Sequence, residues 1–140
     1  MMPDDTGPPR PRRSLLFTPA NRPTAFDKAL DSGADIICLD LEDAVPQDQK
    51  AAIRAPAIDF LRHSDANGPQ RALRINAVNS QIGLEDLTAV LRAAPRHGMI
   101  LLPKVSEAAE LHLVDTVLSE VGSFLELGAL IETLDGLANV

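Results

Sequence analysis

The chain has 140 residues, 45% hydrophobic and 24% charged, and its 20 Asp and Glu against 13 Lys and Arg leave a net charge of −7. That balance argues against nucleic acid as a partner, which is gripped by clustered cations, and no run approaches the ~20 apolar residues of a membrane span. With 3% aromatic residues and neither Trp nor Tyr, a core has to be built from Leu, Ile, Val and Ala, which suits a buried parallel sheet.

The start, as far as Arg13, is rich in Pro and charge and predicts a disordered arm, with residues 1–11 outside the folded domain and 12–140 inside it. Arg12-Arg13 ahead of Ser14-Leu15-Leu16-Phe17 has the outline of a twin-arginine export signal. Pro19, Arg22 and Asp27 interrupt the apolar stretch such a signal needs. The single cysteine, Cys38, has no partner for an intrachain disulfide, and a reducing, cytoplasmic setting is expected.

Five aliphatic runs predict strands buried on both faces: Ser14 to Thr18, Ile36 to Leu41, Ala72 to Asn76, Met99 to Lys104 and Leu127 to Glu132. Between them lie helical stripes. Pro23 stands where a first-turn proline is tolerated, ahead of Ala25, Phe26, Ala29 and Leu30. Gln47 to Leu61 predicts a helix broken at Pro56. Leu84, Leu87, Val90 and Leu91 form a further stripe, and Ala108, Leu111, Val114 and Leu118 another. Gly33 before Ile36, Gly98 before Met99 and Gly128 within the fifth run punctuate the returns to the strands, positions that commonly supply a left-handed turn.

Strand and helix alternating in this way require right-handed crossovers and a parallel sheet, either doubly wound or closed into a barrel. A nucleotide-binding open sheet usually carries a glycine-rich loop after its first strand, and Thr18-Pro19-Ala20-Asn21 is not one. The polar residues favour the barrel. Asp40, Glu42 and Asp43 follow the second strand, Arg74 and Asn76 end the third, Lys104 ends the fourth and Glu132 the fifth; in a barrel those ends converge on the mouth where active sites sit. The fold expected is α/β, the first five βα units of a (β/α)8 TIM barrel, truncated, since a whole one needs ~250 residues. The first and fifth strands would be open edges, which invite pairing with another chain.

Several residues could carry chemistry. Glu132, at the end of an apolar strand, would be partly desolvated and suited to a hard Mg²⁺ ion; the alternatives are a cap for the next helix or a partner for Arg74. Arg74 has the planar fork that grips a carboxylate or steadies an enolate; it could equally be paired with Glu42 or Asp43. The acidic run Asp40, Glu42, Asp43 could orient Arg74 or cap a helix. Lys104 is read as an electrostatic partner rather than a Schiff-base lysine. His63, His97 and His112 share no metal-ligand spacing, and Cys38 is read as a packed, inert thiol.

Taken in order, Arg13-Ser14-Leu15-Leu16-Phe17-Thr18-Pro19, Gly33-Ala34-Asp35 leading into Leu39-Asp40-Leu41-Glu42-Asp43-Ala44-Val45-Pro46, Arg74-Ile75-Asn76, Leu102-Pro103-Lys104-Val105 and Ile131-Glu132-Thr133 resemble the citrate lyase β-subunit and malyl-CoA lyase group of the HpcH/HpaI aldolase family. The resemblance runs from about Arg12 to the last residue. It implies a Mg²⁺-dependent carbon-carbon lyase that cleaves or forms a 3-hydroxyacyl-CoA, giving acetyl-thioester and a keto acid. It also implies catalytic and substrate-binding roles for Arg74 and Glu132, with Glu132 a metal ligand and Glu42, Asp43, Asn76 and Lys104 supporting them. The partners expected are an acyl-CoA or acyl-carrier thioester and a keto acid, with a homo-oligomer when intact. The family's second metal carboxylate, an aspartate after the sixth strand, would lie past Val140, so the 140 residues are expected to be inactive alone. The alternative reading is a noncatalytic half-barrel that dimerises or docks on a full-length homologue.

Overall fold

A computed structural model describes residues 11–64 and 67–140. Of the predicted arm, which runs as far as Arg13, residues 1–10 lie outside the described residues. Five βα units follow one another: β1 (Leu15–Pro19) and α1 (Phe26–Leu30), β2 (Ile36–Asp40) and α2 (Lys50–Arg62), β3 (Gln70–Arg74) and α3 (Gln81–Ala93), β4 (Met99–Leu102) and α4 (Ala108–Glu120), β5 (Glu126–Ala129) and α5 (Leu134–Ala138), with a 3-10 turn at Pro23–Ala25 leading into α1. The strands are all parallel and stand in the order β1-β2-β3-β4-β5. Each new strand joins the same growing edge, which is how a barrel is built. A doubly wound sheet reverses its strand order partway.

Alternate residues of the strands serve two cores. Ile37, Leu39, Leu73, Ile100 and Leu102 pack with Ala57, Leu61, Val90, Val114 and Leu118 of the helices. Ile36, Cys38, Ala72, Met99 and Leu101 point the other way, into a smaller cluster without helical members that belongs to the barrel interior. Asp40 and Arg74 are in register with each other and continue this inner row to the strand ends.

Burial on both faces holds for β2 and β4 throughout. It fails at β1, where Leu16 and Phe17 are exposed, and at β5, where Glu126 and Ala129 are. The reason is position: each has a neighbouring strand on one side only.

Other expectations are corrected. Arg13 belongs to no free arm, because its backbone N–H and guanidinium both bind Asp35, at 2.8 Å and 3.0 Å. Arg12 likewise pairs with Glu126, which also accepts from Gln70 at 2.9 Å. The helix α2 runs unbroken through Pro56. Pro56 and Ala52, whose carbonyl loses its helical donor, are both exposed, so water can satisfy the freed carbonyl. Gly33 and Gly98 do take positive φ, +81° and +119°, whereas Gly128, within β5, makes no left-handed turn, and Gly122, at +69°, makes the turn after α4. The runs read as strands also end early. Asn76, Lys104 and Glu132 stand past their strands, on the loops that follow.

Candidate active site at the strand ends

Asp40 closes β2 and is almost wholly buried. Its carboxylate accepts four hydrogen bonds: from Arg74 Nε at 2.8 Å and Nη2 at 2.6 Å, and from the backbone N–H groups of Glu42 at 2.9 Å and Ala44 at 3.1 Å. Burial by itself pushes this carboxyl up, but the bonds from Arg74 and from the Glu42 and Ala44 amides outweigh it and hold Asp40 below the usual carboxylate range. One side chain therefore both grips Arg74 and shapes the turn that carries Glu42.

Arg74 is a half-buried end of β3 whose guanidinium also meets Glu42 Oε2 through Nη1 at 3.1 Å. The Phe17 ring lies beneath its plane, 4.7 Å from centroid to Cζ, a cation–π contact. The hydrogen bond to Asp40 is the main cause of a guanidinium held even more firmly protonated than usual. Sequence reading offered Glu42 or Asp43 as the structural partner. Glu42 is one, but Asp43 is exposed and among the described residues pairs with Lys104, at 3.7 Å, and the bidentate partner is Asp40.

Glu42, buried, bridges two cations. Its Oε2 faces Arg74 and its Oε1 is ion-paired with Lys104 Nζ. Lys104 adopts a left-handed backbone, φ +53°, uncommon for a residue with a Cβ and found where surrounding contacts enforce it. Its backbone N–H donates to Glu132 Oε1 at 3.0 Å. The hydrogen bond to Glu42 raises the Lys104 ammonium above its ordinary value, the reverse of what a Schiff-base nucleophile needs. Arg74, Glu42, Lys104 and Glu132 thus form one connected chain across the ends of β2, β3, β4 and β5.

Glu132 is exposed, not desolvated. It does not cap α5 either, since Thr133 Oγ1 does so by accepting from Gly136 N–H at 3.0 Å. Among the described residues Arg74 pairs with Asp40 and Glu42, not with Glu132. Among the described residues no group of three or more His, Cys, Asp or Glu gathers as a full metal-ligand set. Mg²⁺, however, is commonly held by one or two carboxylates with waters completing its shell. An exposed carboxylate anchored through one oxygen by a backbone N–H fits as one of those ligands.

Beneath the mouth lies a buried polar cluster that sequence reading found only in part. Asn76 donates through Nδ2 to Leu41 O at 3.1 Å and to Asp86 Oδ2 at 2.7 Å, and Asp86 is also held by Arg54 at 2.7 Å. Lys50, the first residue of α2, donates to Leu41 O at 2.9 Å, Glu42 O at 2.6 Å and Asn76 Oδ1 at 2.5 Å. Lys50, Asp86, Arg54 and Phe17 were missed. Lys50 sits among Gln47, Asp48, Gln49 and Ala51, a stretch that reads as a solvated helix start. Phe17 alone left a signal, as a β1 residue level with Cys38 on the same inward row of the sheet that ends in Asp40.

The three histidines are exposed. Cys38 is buried, and burial first, then the Asp40 charge, pushes its thiol up to about 12. An inert thiol is what that environment dictates.

Charged side chains brought from four successive parallel strands to one mouth define a β/α-barrel of the kind that places its active site there. The HpcH/HpaI aldolase/citrate lyase family matches residues 13–140, and the chain belongs to it. It is 35% identical over 140 residues to the L-malyl-CoA/beta-methylmalyl-CoA lyase of Cereibacter sphaeroides, covering 95% of this chain and 44% of that protein. A (3S)-malyl-CoA thioesterase of the same organism is 37% identical over 129 residues, covering 92% and 43%. Among solved structures, CitE of Mycobacterium tuberculosis in complex with magnesium and pyruvate superposes with a TM-score of 0.69 at 32% identity, over 91% of this chain and 48% of that one. The chain spans about half the length of the relatives it matches.

Proposed function

We propose that this chain supplies the substrate-gripping half of the active site of a Mg²⁺-dependent carbon-carbon lyase. The substrate is a 3-hydroxyacyl-CoA of the malyl, citramalyl or citryl type, and the products are acetyl-thioester and a keto acid. The reading rests on one observation, the continuous Arg74-Glu42-Lys104-Glu132 chain at the strand ends. The names of the malyl-CoA relatives support the substrate class, and the magnesium and pyruvate in a solved relative support the ion and the keto acid.

Asp40 occupies the Nε side of the Arg74 fork, and the guanidinium's remaining N–H groups are what it can offer an anion at the mouth. In the cleavage direction the hydroxyl proton leaves, the carbon-carbon bond breaks, and its electron pair passes into the thioester as an enolate that is then protonated. Arg74, which cannot give up its own proton, serves as a fixed positive donor to the substrate carboxylate or to that enolate oxygen. Glu132 would hold the ion, whose chemistry when bound is to draw electrons from the keto-acid carbonyl. Glu42 keeps Arg74 and Lys104 at fixed separation. The 140 residues alone are expected not to turn over, and the working enzyme is expected to be a cytoplasmic homo-oligomer.

The test uses the gene product with whatever sequence follows Val140. Incubated with malyl-CoA and Mg²⁺, it is expected to release glyoxylate and acetyl-CoA, to stop on chelation, and to lose at least a hundredfold in kcat/KM on Arg74→Ala, a scale usual for an oxyanion donor. Release of malate and free CoA instead would place it with the thioesterase relative. Glyoxylate formed undiminished in EDTA would refute the metal-dependent reading.

One observation favours a second reading, a noncatalytic half-barrel that pairs with another chain. Ile131, Leu134, Leu137 and Val140 are all exposed around α5, Leu134 at 86%. Sedimentation velocity of the 140-residue chain is then expected to reveal concentration-dependent association that Leu134→Lys with Leu137→Lys abolishes; a monomer at all concentrations would eliminate it.

A further inference from the structure

Lys50 is a buried cation that the proposed chemistry does not use. Its side chain starts on α2 and ends under the mouth, with the residue 7% exposed. The ammonium has three protons, and three acceptors stand within 2.5 to 2.9 Å: the carbonyls of Leu41 and Glu42 and Asn76 Oδ1. A neutral amine has one N–H fewer and would give up one of these three bonds; Leu41 O also accepts from Asn76 Nδ2 and Glu42 O from the Val45 N–H. Burial is the leading influence on this lysine and lowers its value from the ordinary one, while Asp86, Glu42, Asp40 and Asp43 act in the opposite direction.

The two carbonyls belong to the peptide units on either side of Glu42. The side chain of Glu42 joins Arg74 to Lys104, and Asn76 comes two residues after Arg74 on the adjoining loop. One ammonium therefore ties the loop after β2 to the loop after β3 from below, while Asp40 and Glu42 tie the same two elements from above.

We propose that Lys50 is a positioning residue: by pinning the Leu41–Glu42 backbone to Asn76 it sets where the Glu42 carboxylate stands, and through it the direction in which Arg74 presents its free N–H groups. The inference rests on the functional reading only where it concerns the substrate; the Arg74 geometry can be read without it.

The experiment compares Lys50→Met, close in length and unable to donate, with its parent, both made as the same gene product used in the test of function. A second variant, Val114→Ala, removes buried methyls from α4 on the helix side of the sheet and lowers Tm without touching the mouth. Two quantities are measured below the Tm of each: the Arg74 Nε–H signal in nitrogen-proton NMR, and the Kd for pyruvate with Mg²⁺ by calorimetry. Lys50→Met is expected to shift or broaden the Arg74 signal and to weaken pyruvate binding about tenfold, the scale usual for a lost supporting partner. Val114→Ala is expected to change neither. An Arg74 signal unmoved in Lys50→Met, or moved equally by Val114→Ala, would overturn the inference. If the parent binds no pyruvate, the functional reading is what fails, and the Arg74 signal alone decides the role of Lys50. Should Lys50→Met not fold, Lys50→Arg is read in the same way, since its planar donors cannot reach three acceptors arranged around a single nitrogen.

Discussion

At the scale of single residues, the mouth is governed by the need to keep buried charge compensated. Arg74 can sit half-buried because Asp40 meets it with two parallel hydrogen bonds while two backbone amides hold Asp40 in place. Removing one partner strands the other. Asp40→Ala is expected to destabilise the chain by about 3 kcal/mol, measured by urea unfolding, whereas Asp43→Ala, which touches only the tip of Lys104, is expected to change stability by less than about 1 kcal/mol. Equal losses from the two would show that Asp40 has no special part. The bidentate partner was harder to read than Arg74 itself. Asp40, Glu42 and Asp43 are close in sequence and similar in charge, and only the parallel register that sets Asp40 beside Arg74 separates them.

Among the elements, α3 and the loop leaving β3 approach each other at a glycine. Gly83 stands in the first turn of α3, where an added Cβ would lie 1.9 Å from the carbonyl oxygen of Ala77 and 2.7 Å from that of Asn76. Alanine is ordinarily the better helix former by ~1 kcal/mol, so the sign of the effect is informative. Gly83→Ala is expected to destabilise by about 1–3 kcal/mol, since the clash is with backbone that cannot swing away, and to disturb Asn76 with it. A gain in Tm would refute this packing. Pro56 carries a complementary lesson. Its residue type predicts a broken helix, yet α2 continues because the proline faces water, and exposure is a property that composition does not encode.

For the whole molecule, charge pairs fasten the beginning of the chain to the sheet, and acid should release them. Arg13, by hydrogen bonds first, lowers the Asp35 carboxyl from 3.8 to about 2, and Asp40 is also lowered. A carboxyl whose folded value lies below its unfolded one stabilises fully above pH ~4 and loses that contribution as the pH falls through the folded value. Stability is therefore expected to be flat near neutrality and to decline between pH ~4 and ~2, with the Asp35 carboxyl titrating at about 2 by carbon NMR. A midpoint near 3.8 would mean that the Arg13 contact does not persist in solution. Arg13→Ala is expected to return Asp35 toward its ordinary value without altering the strand order.

What the sequence determined by itself is the order of the elements and the residue types at their ends. Aliphatic runs separated by amphipathic stripes dictate parallel βα units through local periodicity, and Arg74, Lys104 and Glu132 fall at the ends of those runs wherever the chain goes next. Tertiary structure alone decided which charges meet. The register of β2 on β3 chose Asp40 for Arg74, the loop after β4 turned a backbone N–H toward Glu132, and the approach of α2 to the sheet buried Lys50. Those choices are made between residues distant along the chain, with Lys50 and Asn76 separated by 26 positions. Periodicity is a short-range signal, whereas the pairing of buried charges is settled by the packing of whole elements.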